Sequence, residues 1–194
     1  MKANDDIHLI ETTLTSETVY RGHFLHVKRD TVLLPNQQTT TREHILHPGA
    51  VTIIPLLDNG DVLLERQYRY PLSRVFIEFP AGKLDKAEAP LACGQRELLE
   101  ETGYTAREWA YAGQMHNAIA YANEVIHVFF AKGLMKGKSK LDAEEFLEVI
   151  AASPTQVLQW CQEGSITDAK TLTCTLWLQN YLSGAWALNW TASD

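Results

Sequence analysis

The sequence predicts an α+β fold opening with a strand-rich region, and three observations carry this. Runs of β-branched and aromatic residues broken by turn formers fill the chain before residue 80. An acidic stretch that ends at Gly103 has helical spacing. Two further helices with cap signals follow late in the chain.

Each element has a local reason. Residues 18–34 form one extended run, and residues 40–47 form a second, ended by Pro48-Gly49. Residues 50–57 are nearly all apolar and suit a buried strand. Asn59-Gly60 then predicts a hairpin, because both residues tolerate positive φ, with residues 62–70 as the return strand. Residues 75–79 are a short strand stopped by Pro80. Pro90 suits a first helical turn, Leu91, Leu98 and Leu99 supply an apolar side, and Gly103 suits the position that ends the helix. Residues 124–131 and 146–151 read as strands, and the glycines and lysines of residues 133–140 read as a basic, flexible loop between them. Ser153-Pro154-Thr155-Gln156 has the form of a capping box that opens a helix reaching about Gly164. A last helix starts near Asp168, where Cys174, Trp177, Leu178 and Tyr181 recur at core-facing spacing. The expected organisation is a strand region over residues 1–48 and a main domain over residues 49–194.

Composition narrows the function. With 45% apolar and 21% charged residues, the 194-residue chain can build a packed core. A net charge of -7 argues against a nucleic-acid backbone as the main partner. Cys93, Cys161 and Cys174 form no pair and no zinc spacing, which suits free thiols in a reducing cytoplasm. The most apolar late stretch is interrupted by Gln179, Asn180, Ser183 and Asn189, so it is a poor membrane span.

Residues 82–104 carry the chemistry. Gly82 is followed by Glu88, and then by Arg96-Glu97-Leu98-Leu99-Glu100-Glu101-Thr102-Gly103-Tyr104. On an α-helix, Glu101 lies about 40° from Glu97 in azimuth, and Glu100 about 60° to the other side. Three carboxylates would then crowd one face, where each like-charge pair costs roughly 0.2–0.5 kcal/mol. Arg96 alone does not balance them. Magnesium would, since it takes oxygen ligands from one or two carboxylates together with substrate phosphates. A glycine at the start lets backbone approach a metal or phosphate closely. A bare acidic cluster is usually a solvated helix face. Here, however, seven identities stand at set spacings, which chance supplies on the order of once in a million chains of this length.

The segment resembles the Nudix box of the Nudix hydrolases, with every defining position matched. The resemblance implies an α/β/α sandwich on a mixed sheet, and hydrolysis of nucleoside diphosphates linked to another moiety with Mg²⁺ or Mn²⁺. It assigns metal binding to Glu97, Glu100 and Glu101, and orientation of the carboxylates to Arg96. Glu88 matches the first glutamate of the box, whose role varies.

The flanking segments at residues 65–71, 77–82 and 164–171 resemble ADP-ribose pyrophosphatases, and the likeness spans about residues 18–183. It implies a metal-facing carbonyl at Ala81, a diphosphate contact at Arg69, and Glu78 among the substrate-binding residues. A catalytic base is implied at Glu144 or Glu145. It also implies a homodimer that exchanges N-terminal strands, with Phe24, Arg42 and Glu43 near the adenine or ribose. The chain lacks the proline that often follows the box in that group, since residues 114–121 contain none. ADP-ribose is the leading substrate. Other nucleotide sugars or dinucleotides (GDP-mannose, NADH, FAD) and a non-catalytic nucleotide sensor are the alternatives.

Overall fold

The computed structural model describes residues 6–137 and 146–193. These fall into two compact units, one made of residues 1–47 with 118–124 and the other of residues 48–117 with 125–194.

The first unit is an antiparallel sheet of β1 (Thr12–Arg21), β2 (His26–Leu33) and β3 (Thr39–Ile45). The single run expected over residues 18–34 is therefore two strands. Its break is a tight turn in which the Gly22 N–H donates to the Leu25 carbonyl at 2.8 Å. The β-rich composition of the segment hid the turn, because only Gly22 marks it. Every residue of β1 is exposed, whereas β2 is mostly half-buried.

The second unit is built on a five-stranded sheet. Its strands are β4 (Ala50–Pro55), β7 (Ala81–Lys83), β8 (Tyr104–Met115), β9 (Ile126–Lys136) and β11 (Trp190–Ala192), in the order β11-β8-β9-β4-β7. β4 and β9 run parallel and the other pairs antiparallel, so the sheet is mixed as expected. A smaller antiparallel sheet has the order β10-β5-β6, from β5 (Val62–Arg69), β6 (Arg74–Glu78) and β10 (Leu147–Ala152). Three helices complete the unit: α1 (Pro90–Glu97), α2 (Pro154–Glu163) and α3 (Ala169–Leu182). No helix among the described residues is long and apolar enough to cross a membrane.

Alternation along the central strands builds two cores. Val51, Ile53, Trp109 and Phe129 pack with Cys93 and Leu98 on the α1 side. Ile54, Ala110, Val128 and Phe130 pack with Leu64, Phe79, Val157, Cys174 and Leu178 on the other. Trp177 and Tyr181 pack against this second core, as their spacing predicted.

The late helices start where the caps predict. The Gln156 N–H donates to Ser153 Oγ, and the Thr171 N–H donates to the Asp168 carboxylate. Four expectations need correction. Gly60 adopts positive φ at 87°, but Asn59 does not, and its side chain instead accepts from the Asp61 N–H. The chain reverses here as expected, through the antiparallel Leu56–Val62 bridge and a Leu57 N–H bond to the Asp61 carbonyl at 2.9 Å, but the hairpin stays short because β4 and β5 then part into different sheets. β8 was not foreseen at all, although it pairs with β9 along nearly its whole length. Gly133 and Lys136 belong to β9 and not to a loop.

The fourth correction concerns the acidic helix. α1 ends at Glu97 and continues as a π-helical stretch, Leu98–Thr102, before Gly103 closes it at φ 74°. The wider turn changes the azimuths that a continuous α-helix would give to Glu100 and Glu101. Glu97 and Glu101 are buried against β7, and Glu100, with a side chain 37% exposed, shares Arg96 Nη1 with Glu97.

Candidate active site

The acidic segment packs against β7 at close range. The Ala81 N–H donates to Glu101 Oε2 at 3.2 Å. A Cβ built on Gly82 would lie 1.8 Å from Cδ of Glu97, so only glycine leaves room for that carboxylate where it stands.

Arg96 serves three carboxylates. It donates to Glu88 at 2.9 Å through Nε and Nη2, to Glu97 at 2.8 Å and Glu100 at 3.0 Å through Nη1, and to the Lys83 carbonyl at 3.1 Å. The Glu88 hydrogen bond, with the neighbouring carboxylates, raises the guanidinium pKa further and keeps it charged at any working pH. In return the Arg96 hydrogen bonds hold the Glu88 carboxyl down at about 2. Glu88 also accepts from the Asp85 N–H, which ties the loop before α1 to the same knot.

A second group of charges comes from β5, β6 and the start of α3. In the β5–β6 ladder Glu65 stands opposite Glu78, and Arg69 opposite Arg74. Arg69 grips Glu78 with two hydrogen bonds, at 2.7 and 2.8 Å. The buried Lys170 bonds the same carboxylate and also Asp168, at 2.8 Å in the latter case. Burial alone would raise the Glu78 carboxyl, but the Arg69 hydrogen bonds and the two cationic charges outweigh it and hold the carboxyl below its ordinary range.

Glu65 joins the two groups. It is buried at the end of an apolar run and lies in hydrogen-bond reach of Glu101. Its Oε1 has no hydrogen-bond partner. Burial, aided by the Glu78 charge, pushes its pKa up to about 8 despite the nearby cations and Glu101. Two buried carboxyls this close do not both ionise, so the pair carries a proton at neutral pH. Among the described residues no three such side chains form a ready metal cage. The arrangement still fits a divalent cation that completes its shell with water and phosphate oxygens. Glu101 lies between the two features that suit such a cation: the buried Glu65, which has one unpartnered oxygen and shares a proton with it, and a backbone that Gly82 clears of Cβ.

The structure thus brings Ala81, Glu97, Glu101, Arg96 and Glu100 together, with Arg69 and Glu78 linked to them through Glu65. Glu144 and Glu145 lie outside the described residues. In the N-terminal unit Arg42 pairs with Glu11 at 2.6 Å and Glu43 with Arg29 at 2.8 Å. The half-exposed Phe24 ring meets His47 edge-on there, at 5.9 Å.

Sequence reading passed over Glu65, Asp168 and Lys170 as site residues. Lys170 carried a signal: a lysine in the first turn opposes the helix dipole and so calls for an acidic partner. Glu65 carried a weaker one, a carboxylate directly after three residues of a buried strand.

Comparison with known proteins shows the family and the fold. Residues 46–172 match the NUDIX domain, and residues 11–45 match the nucleoside diphosphate sugar hydrolase N-terminal domain. The chain is 37% identical to the methanol dehydrogenase activator of Bacillus methanolicus, over 87% of this chain and 92% of that one. It is 36% identical to the ADP-ribose pyrophosphatase of Bacillus subtilis (strain 168), over 88% of this chain and 94% of the relative. A crystal structure of an ADP compounds hydrolase superposes with a TM-score of 0.82 at 22% identity, covering 91% of this chain and 97% of that one, which shows the fold. The chain belongs to the Nudix family.

Proposed function

We propose that the chain hydrolyses the diphosphate bridge of a nucleoside diphosphate derivative with the help of a divalent cation, and that ADP-ribose is the substrate, giving AMP and ribose 5-phosphate. The observation that carries the reading is the convergence of Glu97 and Glu101 on the Ala81–Gly82 backbone, with the buried Glu65 beside Glu101. The Bacillus subtilis relative supports the choice of ADP-ribose.

Glu97, Glu100, Glu101 and the Ala81 carbonyl would hold the cation. Magnesium, or manganese in its place, supplies charge neutralisation at the diphosphate and acidifies the attacking water. The protein does the rest. Arg96 fixes Glu97 and Glu100 through hydrogen bonds, so neither has to reorganise when substrate arrives. Arg69 spends Nε and one Nη2 hydrogen on Glu78 and keeps Nη1 for a phosphate oxygen. Glu144 or Glu145 takes the proton of the attacking water. The water oxygen bonds to one phosphorus, and the bridging oxygen leaves with the other half of the substrate.

Replacing Glu101 by Gln keeps the shape and removes the charge. Turnover of ADP-ribose is expected to fall about a hundredfold or more at saturating Mg²⁺. Near-normal turnover in a folded variant would refute the reading. A second reading has a specific prompt, because the Bacillus methanolicus relative is named as an activator of another enzyme. Tight ADP-ribose binding with no product after long incubation would favour that role.

Two further parts complete the proposal. The chain forms a homodimer through its N-terminal strands, supported by the complete exposure of β1, with Phe24 and Arg42 as contacts for the adenosine half. It works in the cytoplasm, a setting that suits the three free cysteines.

A further inference from the structure

Arg69 carries the proposed contact to the diphosphate, yet its side chain is 43% exposed. An ion pair in that setting holds a long side chain weakly, because water screens the charges and the arginine gives up rotamer freedom to stay. The aim of the guanidinium therefore depends on how firmly its partner is held. That partner is the buried Glu78, which takes Arg69 Nε on Oε1 at 2.7 Å and Nη2 on Oε2 at 2.8 Å. Two parallel bonds of this kind fix the plane of the fork to the plane of the carboxylate.

The hold on Glu78 comes from the start of α3. The buried Lys170 donates to Glu78 Oε2 and, at 2.8 Å, to Asp168 Oδ2, so its ammonium bridges two carboxylates. The same Asp168 oxygen caps the helix, accepting from the Thr171 N–H at 3.0 Å and from Thr171 Oγ1 at 2.6 Å. Thr171 Oγ1 in turn accepts from the Phe79 N–H at 3.2 Å, one residue after Glu78. The first turn of α3 thus fixes both the side chain of Glu78 and the backbone beside it. Stability alone does not call for a lysine here. A cation in the first turn opposes the helix dipole, and a buried ion pair is seldom more stable than apolar side chains of the same volume. What the charged pair supplies, and an apolar one does not, is a fixed direction for the Glu78 carboxylate.

We infer that Lys170 and Asp168 are positioning residues, which act through Glu78 and set the direction in which Arg69 meets the diphosphate. The inference rests on the proposed reading of Arg69 as a diphosphate contact. Neither residue has to touch the substrate, and the cap that starts α3 becomes part of the apparatus that aims the arginine.

The test is a double-mutant cycle read by calorimetry of ADP-ribose with the full chain in EDTA, where binding is seen without turnover. Arg69→Ala should weaken binding about tenfold or more, and Lys170→Met about fivefold or more. In the Arg69→Ala background Lys170→Met should cost nothing further, because the side chain it positions is gone. A lysine that acted by its charge alone, or by packing, would cost the same in both backgrounds and overturn the inference. Asp168→Ser separates direction from charge a second time. Serine caps a helix as aspartate does, so α3 keeps its start while Lys170 loses a carboxylate. If charge alone mattered, removing a negative charge here would tighten the binding of an anion. The inference expects binding weaker by about threefold or more, and again only where Arg69 is present. This variant decides the matter where Lys170→Met does not fold. Wild-type or tighter affinity in Asp168→Ser, or unchanged affinity in Arg69→Ala, would overturn the inference. A wild type that neither binds nor hydrolyses ADP-ribose would sink the substrate reading along with it. A Glu101→Gln enzyme that still turns over would sink the cation chemistry alone.

Discussion

At the scale of single residues, the site is a problem of placing negative charge, and two substitutions probe how it is solved. Gly82 has an ordinary backbone conformation, so its role is space: a methyl group there meets the tip of the Glu97 side chain and not backbone. A side-chain tip can swing away, so Gly82→Ala should fold with a melting temperature near that of the wild type. Its kcat should nevertheless drop about tenfold or more, because Glu97 is displaced. Equal activity in the two proteins would mean that the position of Glu97 does not matter. Glu88 tests the other side of the knot. Its pKa is held at about 2 by Arg96 and the Asp85 N–H, below an ordinary value of 4.5. A depressed carboxyl contributes stability that is present above the unfolded value and lost as pH falls through the folded one. Between pH 4.5 and about 2, the wild type should therefore lose more thermal stability than Glu88→Gln, and a difference that stays constant with pH would refute this. These residues were legible because the box fixes their spacing. Glu65 was not, since its importance comes from burial opposite Glu78 and beside Glu101, and burial follows from the packing of elements.

At the scale of elements, the acidic segment is not one continuous α-helix: the π-helical stretch Leu98–Thr102 follows α1, and Gly103 ends it in the left-handed region. Gly103→Ala forces a side chain into that region and should cost about 1 kcal/mol, read as a lower denaturant midpoint with an unchanged slope. Sequence periodicity foresaw the start and end of this segment but not the change of pitch, because identity patterns fix neighbours and not the hydrogen-bond step. β8 escaped notice for a similar reason. Its sequence is rich in alanine and has one β-branched residue, and a register shift between Tyr111 and Gly113 breaks the alternation that marks strands. Only pairing with β9 makes it a strand. α2 and α3, by contrast, were placed from their caps alone, because Ser153 and Asp168 do their work locally.

At the scale of the whole molecule, charge and assembly are what remain to be tested. The Lys170–Glu78–Arg69 group links β5, β6 and α3 through contacts that bury opposite charges together. Removing one member leaves its partner charged and buried, so Lys170→Met should destabilise the main unit by about 3 kcal/mol. β1 forms an edge of its sheet, and all ten of its residues face water, Leu14, Val19 and Tyr20 among them. A long exposed edge strand with apolar side chains is a template for pairing, and natural proteins protect such edges or use them. Here the strand carries Glu17, Arg21 and two register shifts but no proline and no lysine, so its protection is partial. The proposed homodimer follows: the chain should sediment at about twice its 21.9 kDa mass at micromolar concentration. Leu14→Asp combined with Tyr20→Asp should shift it to the single-chain mass without lowering the melting temperature of the main unit. A wild type that sediments as a single chain and is fully active at that concentration would refute the dimer while leaving the cation chemistry of residues 82–104 intact.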